Sequence, residues 1–130
     1  FDESIYSAFV VIFGGTNGII TLQYDGKTTT YYSSTVSNGV VSVTRANATD
    51  IHLMPSGNGY HNTFTLLISA QIKCCGHLLG QSDVGQAMIE TSFGLTTSLT
   101  TPGIISELKF TFSIAPGSDA NITLYGVKRI

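Results

Sequence analysis

Residues 107 to 114 alternate without a break: Leu108, Phe110, Phe112 and Ile114 point one way, and Glu107, Lys109, Thr111 and Ser113 the other. A two-residue period with one apolar side is the pattern of a half-buried β-strand; a helix face would repeat every three or four residues. The same period governs Ile20, Leu22 and Tyr24 against Thr21 and Gln23. It governs Phe64, Leu66, Ile68, Ala70 and Ile72 against Thr63, Thr65, Ser69 and Gln71. No window holds the helical period for three turns. Strands wet on one side need a second layer to cover the other. About eight strands with turn signals at short intervals therefore predict an all-β, antiparallel two-sheet sandwich, with residues 1–130 as one domain.

Turn chemistry divides the chain. Gly14-Gly15-Thr16-Asn17-Gly18 reads as a loop, Asp25-Gly26 as a tight hairpin turn into Lys27 to Tyr32, and Asn38-Gly39 as a further turn. From Ser33 to Asn58 the alternation weakens, which predicts short strands, with Ile51 to Met54 closed by the loop Pro55 to Gly59. Asn62 to Lys73 is expected to be the longest strand and central. Cys75 to Leu79 is read as extending its sheet, and Gln86 to Phe93 as another strand. Ile104 to Val127 reads as strand, turn and returning strand, a closing hairpin around Pro116-Gly117.

Tyr6 to Phe13 is apolar on both pleat faces, so one face goes to the core and the other needs a separate cover. With Tyr6, Ala8, Val10 and Ile12 assigned to the core, Phe9, Val11 and Phe13 are the expected interface with a partner. Only 11% of the chain is charged, against about 25% in an average soluble protein, so an uncovered apolar face would be poorly solvated. Closed rotational symmetry is the ordinary way to cover such a patch, so a homo-oligomer is expected. A net charge of −2 gives no basic footprint for nucleic acid. The apolar run from Ala8 to Phe13 is far shorter than the roughly 20 residues that a helical span needs, so no membrane insertion is expected. The chain begins at Phe1 rather than Met and is expected to be processed or a piece of a longer polypeptide.

The residues that invite chemistry fall short of the patterns it requires. Cys74 and Cys75 are adjacent, so in a strand they point to opposite faces and are expected to be separate thiols. With His77 they lack the four-ligand spacing of a zinc site. Asp50 and His52 share a strand face, which is compatible with a metal but names no further ligand, and His61 stands apart. Glu90 and Glu107 could be paired carboxylates of a glycosidase, yet each reads more simply as part of a solvated sheet face. No nucleophile elbow, zinc-protease helix or phosphate loop occurs. No catalysis, cofactor or metal is therefore expected. Tyr31, Tyr32 and Tyr60, beside Asn and Gly loops, are candidate exposed aromatics for a glycan or a subunit contact. Asn47-Ala48-Thr49 and Asn121-Ile122-Thr123 match the glycosylation sequon, which matters only in a eukaryotic secretory route.

The end of the chain, Ile105-Ser106-Glu107-Leu108 followed by Asn121-Ile122-Thr123-Leu124-Tyr125-Gly126-Val127, resembles the close of small jelly-roll domains in tailed-bacteriophage virion proteins. More faintly, Leu22-Gln23-Tyr24-Asp25-Gly26 with Tyr31-Tyr32 is similar to a segment near the front of those domains. The likeness covers both ends and leaves residues 33–58 unmatched. It implies a jelly roll and a non-enzymatic structural or attachment module of a virion: capsid decoration, fibre, tail or baseplate. It also implies trimers, contact with other virion proteins, and loops (14–18, 33–38, 55–60) free to meet a host-surface glycan. The alternative is a carbohydrate-binding β-sandwich of a secreted or cell-surface protein.

Overall fold

The computed structural model describes residues 6–25, 30–54, 60–69, 75–82, 87–95, 107–118 and 120–128. In chain order the strands are β1 (Tyr6–Gly14), β2 (Thr16–Asn17), β3 (Ile20–Tyr24), β4 (Tyr31–Ser37), β5 (Val40–Ala48), β6 (Ile51–Met54), β7 (Tyr60–Ser69), β8 (Gly76–Ser82), β9 (Ala87–Leu95), β10 (Leu108–Phe112) and β11 (Asn121–Lys128). There is no helix among the described residues. One sheet has eight strands in the order β11-β1-β7-β8-β9-β4-β5, with β2 also on β7; the other has three, β10-β3-β6. Every pairing is antiparallel. The protein is an all-β, two-sheet antiparallel sandwich.

The pairings are nested, β1 with β11, β3 with β10, β4 with β9 and β7 with β8. The closing segment is accordingly not a hairpin. β10 lies in the small sheet and β11 in the large one. β10 sets Leu108, Phe110 and Phe112 opposite Tyr24, Leu22 and Ile20, which keeps its half-buried face on the core, while β11 pairs along β1. The segment between them, with Pro116, crosses from sheet to sheet. Asp25-Gly26 likewise does not join two paired strands. β3 and β4 belong to different sheets, and Asp25 instead pairs across to Glu107, whose amide donates to Asp25 Oδ1 at 2.6 Å. Asn38-Gly39 does form the β4–β5 hairpin turn, with φ of 48° and 82°, the left-handed pair that a tight hairpin requires. The flanking strands are longer than their broken alternation suggests.

The core is made where the inner faces meet. Ile20, Leu22 and Tyr24 of β3 and Ile51, Leu53 and Met54 of β6 face Phe9, Val11 and Phe13 of β1, Phe64, Leu66 and Ile68 of β7, Leu78 of β8, and Ile89 and Phe93 of β9. Full burial of each such aliphatic or aromatic side chain contributes roughly 1.5–3 kcal/mol. One hydroxyl ties the layers: Thr91 Oγ1 donates to the Leu53 carbonyl at 3.0 Å, and within the large sheet it lies 3.0 Å from Thr35 Oγ1. β8 turns Gly76, Leu78 and Gly80 inward, and the rings of Phe93 and Phe64 fill the space over the two glycines.

The assignment of the β1 faces is reversed relative to the sequence expectation. Phe9, Val11 and Phe13 are each 1% exposed and lie opposite Ile68, Leu66 and Phe64 of β7, so they are core and not a partner interface. Ala8, Val10 and Ile12 form the other face. The physical reason is size: two phenyl rings remove more apolar area from water than Ala8 and Ile12 do. A bulge between Tyr6 and Ala8 also brings Tyr6 to the core side, where its ring meets Phe9 at 5.7 Å.

Candidate interaction surface

Because successive residues of a strand face opposite ways, the core-facing set fixes what the large sheet shows outside. Across its outer face, Tyr125 of β11 lies opposite Val10 of β1, Val10 opposite Leu67 of β7, and Leu67 opposite His77 of β8. The next row runs Thr123, Ile12, Thr65, Leu79 and Glu90. Beside the first row, Val127 opposes Ala8. Leu67 is 47% exposed and Tyr125 53%, with Leu79 and Val127 similar; Ala8, Val10 and Ile12 are half-buried. These side chains form a contiguous apolar stripe across four strands. At one end, a shallow pocket of about 320 Å³ opens between Ser7, Ala8, Leu67, Ser69, Cys75 and His77.

Two signals for this surface stand in the sequence. Leu67 interrupts the polar side of an otherwise regular alternation, and Tyr6 to Phe13 has a second apolar face. The sequence could not say that Tyr125 and Val127 complete the stripe, because their strand order places them beside β1 from the far end of the chain.

Of the candidate chemical residues, the structure brings Asp50 to His52 and Glu90 to His77, but gathers no larger set among the described residues. Tyr31 is fully buried; its hydroxyl accepts from the Tyr24 amide at 2.7 Å and its ring packs on Tyr24 at 5.8 Å. It therefore joins β4 to the end of β3 and cannot meet a glycan. Tyr32 is 41% exposed; the side chain of Tyr60 lies outside the described residues. Glu90 is on the outer face of the large sheet, its Oε2 3.9 Å from His77 Nε2, whereas Glu107 enters β10 in the small sheet. They do not form a glycosidase pair. Asp50 Oδ1 is held by Arg45 Nη1 at 2.8 Å and approached by His52 Nε2 at 3.5 Å. A guanidinium on that oxygen opposes a cation there, so the cluster reads as a brace between β5 and β6. The His52 imidazole is held below its ordinary pKa, chiefly by burial and then by the Arg45 charge, partly offset by Asp50. Among the described residues no group of three or more His, Cys, Asp or Glu could hold a metal ion. Cys75 is an exposed free thiol, and Cys74 lies outside the described residues. Comparison with protein-family models, with curated proteins and with solved structures finds no match to this chain.

Proposed function

We propose that the chain is a non-enzymatic structural module of a multi-subunit particle, of the kind that decorates heads or builds fibres and tails in tailed-bacteriophage virions. The observation that carries this reading is the apolar stripe Val127, Tyr125, Val10, Leu67 and Leu79 on the outer face of a sheet whose inner face already has its own core. Solvent-exposed sheet faces of isolated proteins are normally polar. A second apolar face calls for a partner, and charged side chains make up only 11% of the chain. The nested pairing of the chain ends supports a jelly-roll variant with unequal sheets. The likeness to phage domains supplies the virion location, neighbouring virion proteins as partners and three as the number of copies assembled through the outer face.

The carbohydrate-binding alternative is weaker, because Tyr31 is withdrawn from the aromatic platform it needs. Two of the three segments expected as glycan-facing loops are not loops: Thr16 and Asn17 form β2, with Thr16 buried, and Ser33 to Ser37 belong to β4 inside the large sheet, with Ser33 and Thr35 buried; residues 55–59 of the third lie outside the described residues.

The test is the mass of the purified chain by light scattering, with and without Leu67→Asp and Leu79→Asp. A fall in mass in the variants, with folding retained, is the expected result, because the substitutions remove the outer-face contact. A monodisperse monomer in both overturns the proposal. Locating the chain by imaging in an intact particle tests the virion half, and its absence from any particle would refute that half.

A further inference from the structure

We infer that the β11 flank of the sandwich is a two-fold interface between copies of this chain, in which β11 of each copy lies alongside β10 of the other. This deepens the assembly reading by naming a second contact, separate from the outer face. The two layers end unevenly on this side. β11 is the edge of the large sheet and β10 the edge of the small one. Ile122 and Leu124 of β11 lie opposite Phe13 and Val11 of β1 and so share their core-facing side. Yet Phe13 and Val11 are 1% exposed, while Ile122 and Leu124 are 49% and 43% exposed. The cover stops at β10, whose Phe110 ring meets Phe13 at 6.1 Å and whose Leu108, Phe110 and Phe112 are only half-buried. The flank is a step: β11 overhangs with an apolar underside, and the edge of β10, unpaired among the described residues, forms the riser.

A step of this kind is complementary to itself. Rotation of a second copy by half a turn about an axis along the strands exchanges its layers. Its β11 then enters the space beside β10 and beneath the first β11, and the first β11 does the same for the second copy. Each large sheet continues into the other copy's small sheet, which satisfies two sheet edges at once, and the Ile122 and Leu124 side chains of the copies close over one another. A foreign strand would cover one underside, whereas a second copy covers both with the same residues, the self-complementarity that a two-fold contact needs. The edge is eight residues long, about 27 Å at a rise of about 3.4 Å per residue.

The opposite flank is built differently: although Val40 and Val41 beside the β4–β5 turn are 68% and 62% exposed, the rest of that edge carries charge and irregular pairing. There Arg45 of β5 sits opposite the buried Ser33 and is held by Asp50, and the β4–β5 ladder carries two register shifts. Charges turned toward the core and bulges are devices that discourage edge pairing. β11 has neither along Asn121 to Val127: that stretch is uncharged, and its ladder with β1 runs unbroken from Val127 opposite Ala8 to Asn121 opposite Gly14.

The experiment is sedimentation velocity on the whole chain from low to high micromolar concentration, on Ile122→Asp/Leu124→Asp, and on the outer-face pair Leu67→Asp/Leu79→Asp, with circular dichroism confirming folding. Amide hydrogen exchange of β10 and β11 is followed on dilution. The expected result is a dimer, or a hexamer where the outer face also makes a three-fold contact. Ile122→Asp/Leu124→Asp halves it, to monomer or trimer respectively, while the outer-face pair leaves the dimer intact. Amides of β10 and β11 lose protection together on dilution. A monomer at every concentration overturns the inference, and so does an assembly whose mass and β10 and β11 exchange are unchanged by Ile122→Asp/Leu124→Asp. Should that variant fail to fold, the dilution series on the unaltered chain decides alone. Loss of assembly only in the outer-face pair would sustain the proposed function and refute this contact.

Discussion

Gly80→Ala is the sharpest test of the core as described. Gly80 lies opposite Phe64 on β7, and the phenyl ring occupies the place of the missing side chain: a methyl there would sit 2.8 Å from Phe64 Cγ, with Cδ1 and Cε1 nearer still. Carbon atoms prefer about 3.5–4.0 Å, so the ring has to move. It cannot move freely, because it is fully buried and the Phe13 ring lies 5.2 Å away. Removing a glycine would by itself stabilise by about 0.4–1 kcal/mol through the unfolded chain. Overpacking costs about 1–3 kcal/mol, sometimes more, and the ceiling is the roughly 3–5 kcal/mol of losing a buried phenyl altogether. The expected net loss is about 2 kcal/mol. In urea, with a slope of about 1–3 kcal/mol per molar, the midpoint should fall by roughly 1 M with the slope unchanged. Phe64→Leu added to Gly80→Ala should recover part of the loss, giving a coupling of about 1 kcal/mol in a double-mutant cycle. A loss below about 0.5 kcal/mol, or no coupling, would show that the Phe64 ring does not lie over Gly80.

Thr91→Val should cost about 1–3 kcal/mol by chemical denaturation, since it strips the Leu53 carbonyl of its donor across the layers. In the separated chain at low concentration, Phe13→Ala should cost about 3–5 kcal/mol and Phe110→Ala clearly less, because Phe13 is buried and Phe110 half-exposed on the open flank; equal losses there would mean that the flank is covered within a single copy. His52 is held below its ordinary pKa of 6.5, so the unfolded chain binds its proton more readily. Its contribution is whole above pH 6.5 and is lost as pH falls toward the folded value. His52→Gln should flatten the stability profile in that window, and an unchanged slope would refute the assignment.

The sheet faces were legible wherever one side of a strand is polar. Leu108, Phe110 and Phe112 point inward as their alternation requires, and so do Ile20, Leu22 and Tyr24. β1 was legible as a strand covered on both sides but not as to which side is which, since periodicity carries no sign when both faces are apolar; only register against Phe64, Leu66 and Ile68 decides it. Pairing across the chain was not legible either. The nearest apolar strand to β10 in sequence is β11, and the turn residues between them suit a hairpin, yet the ladders to β3 and β1 are the ones formed. Tyr31 misled for a related reason. A tyrosine beside polar residues reads as exposed, but its hydroxyl has a buried use at the end of β3, which no local pattern signals.

The distribution of exposed apolar side chains argues that stability and assembly are linked in this molecule. Exposed aliphatic and aromatic groups lie on β11, on the outer face and at Val40 and Val41 beside the β4–β5 turn, while the rest of the β5 flank carries the Arg45–Asp50 brace. A chain that folded for solitary life would gain nothing from leaving its longest uncharged edge bare and sealing the other with charge; a bare apolar edge is an aggregation hazard. A contact of closed symmetry removes the hazard because it uses up the edge and leaves none to propagate. Partners that bind only the folded form add to its stability by mass action, so unfolding should shift to higher denaturant as protein concentration rises. Aspartate at Ile122 and Leu124 should abolish the part of that shift due to the flank and lower the low-concentration midpoint by less than a core truncation such as Phe13→Ala does, because those side chains are only about half buried within a single copy.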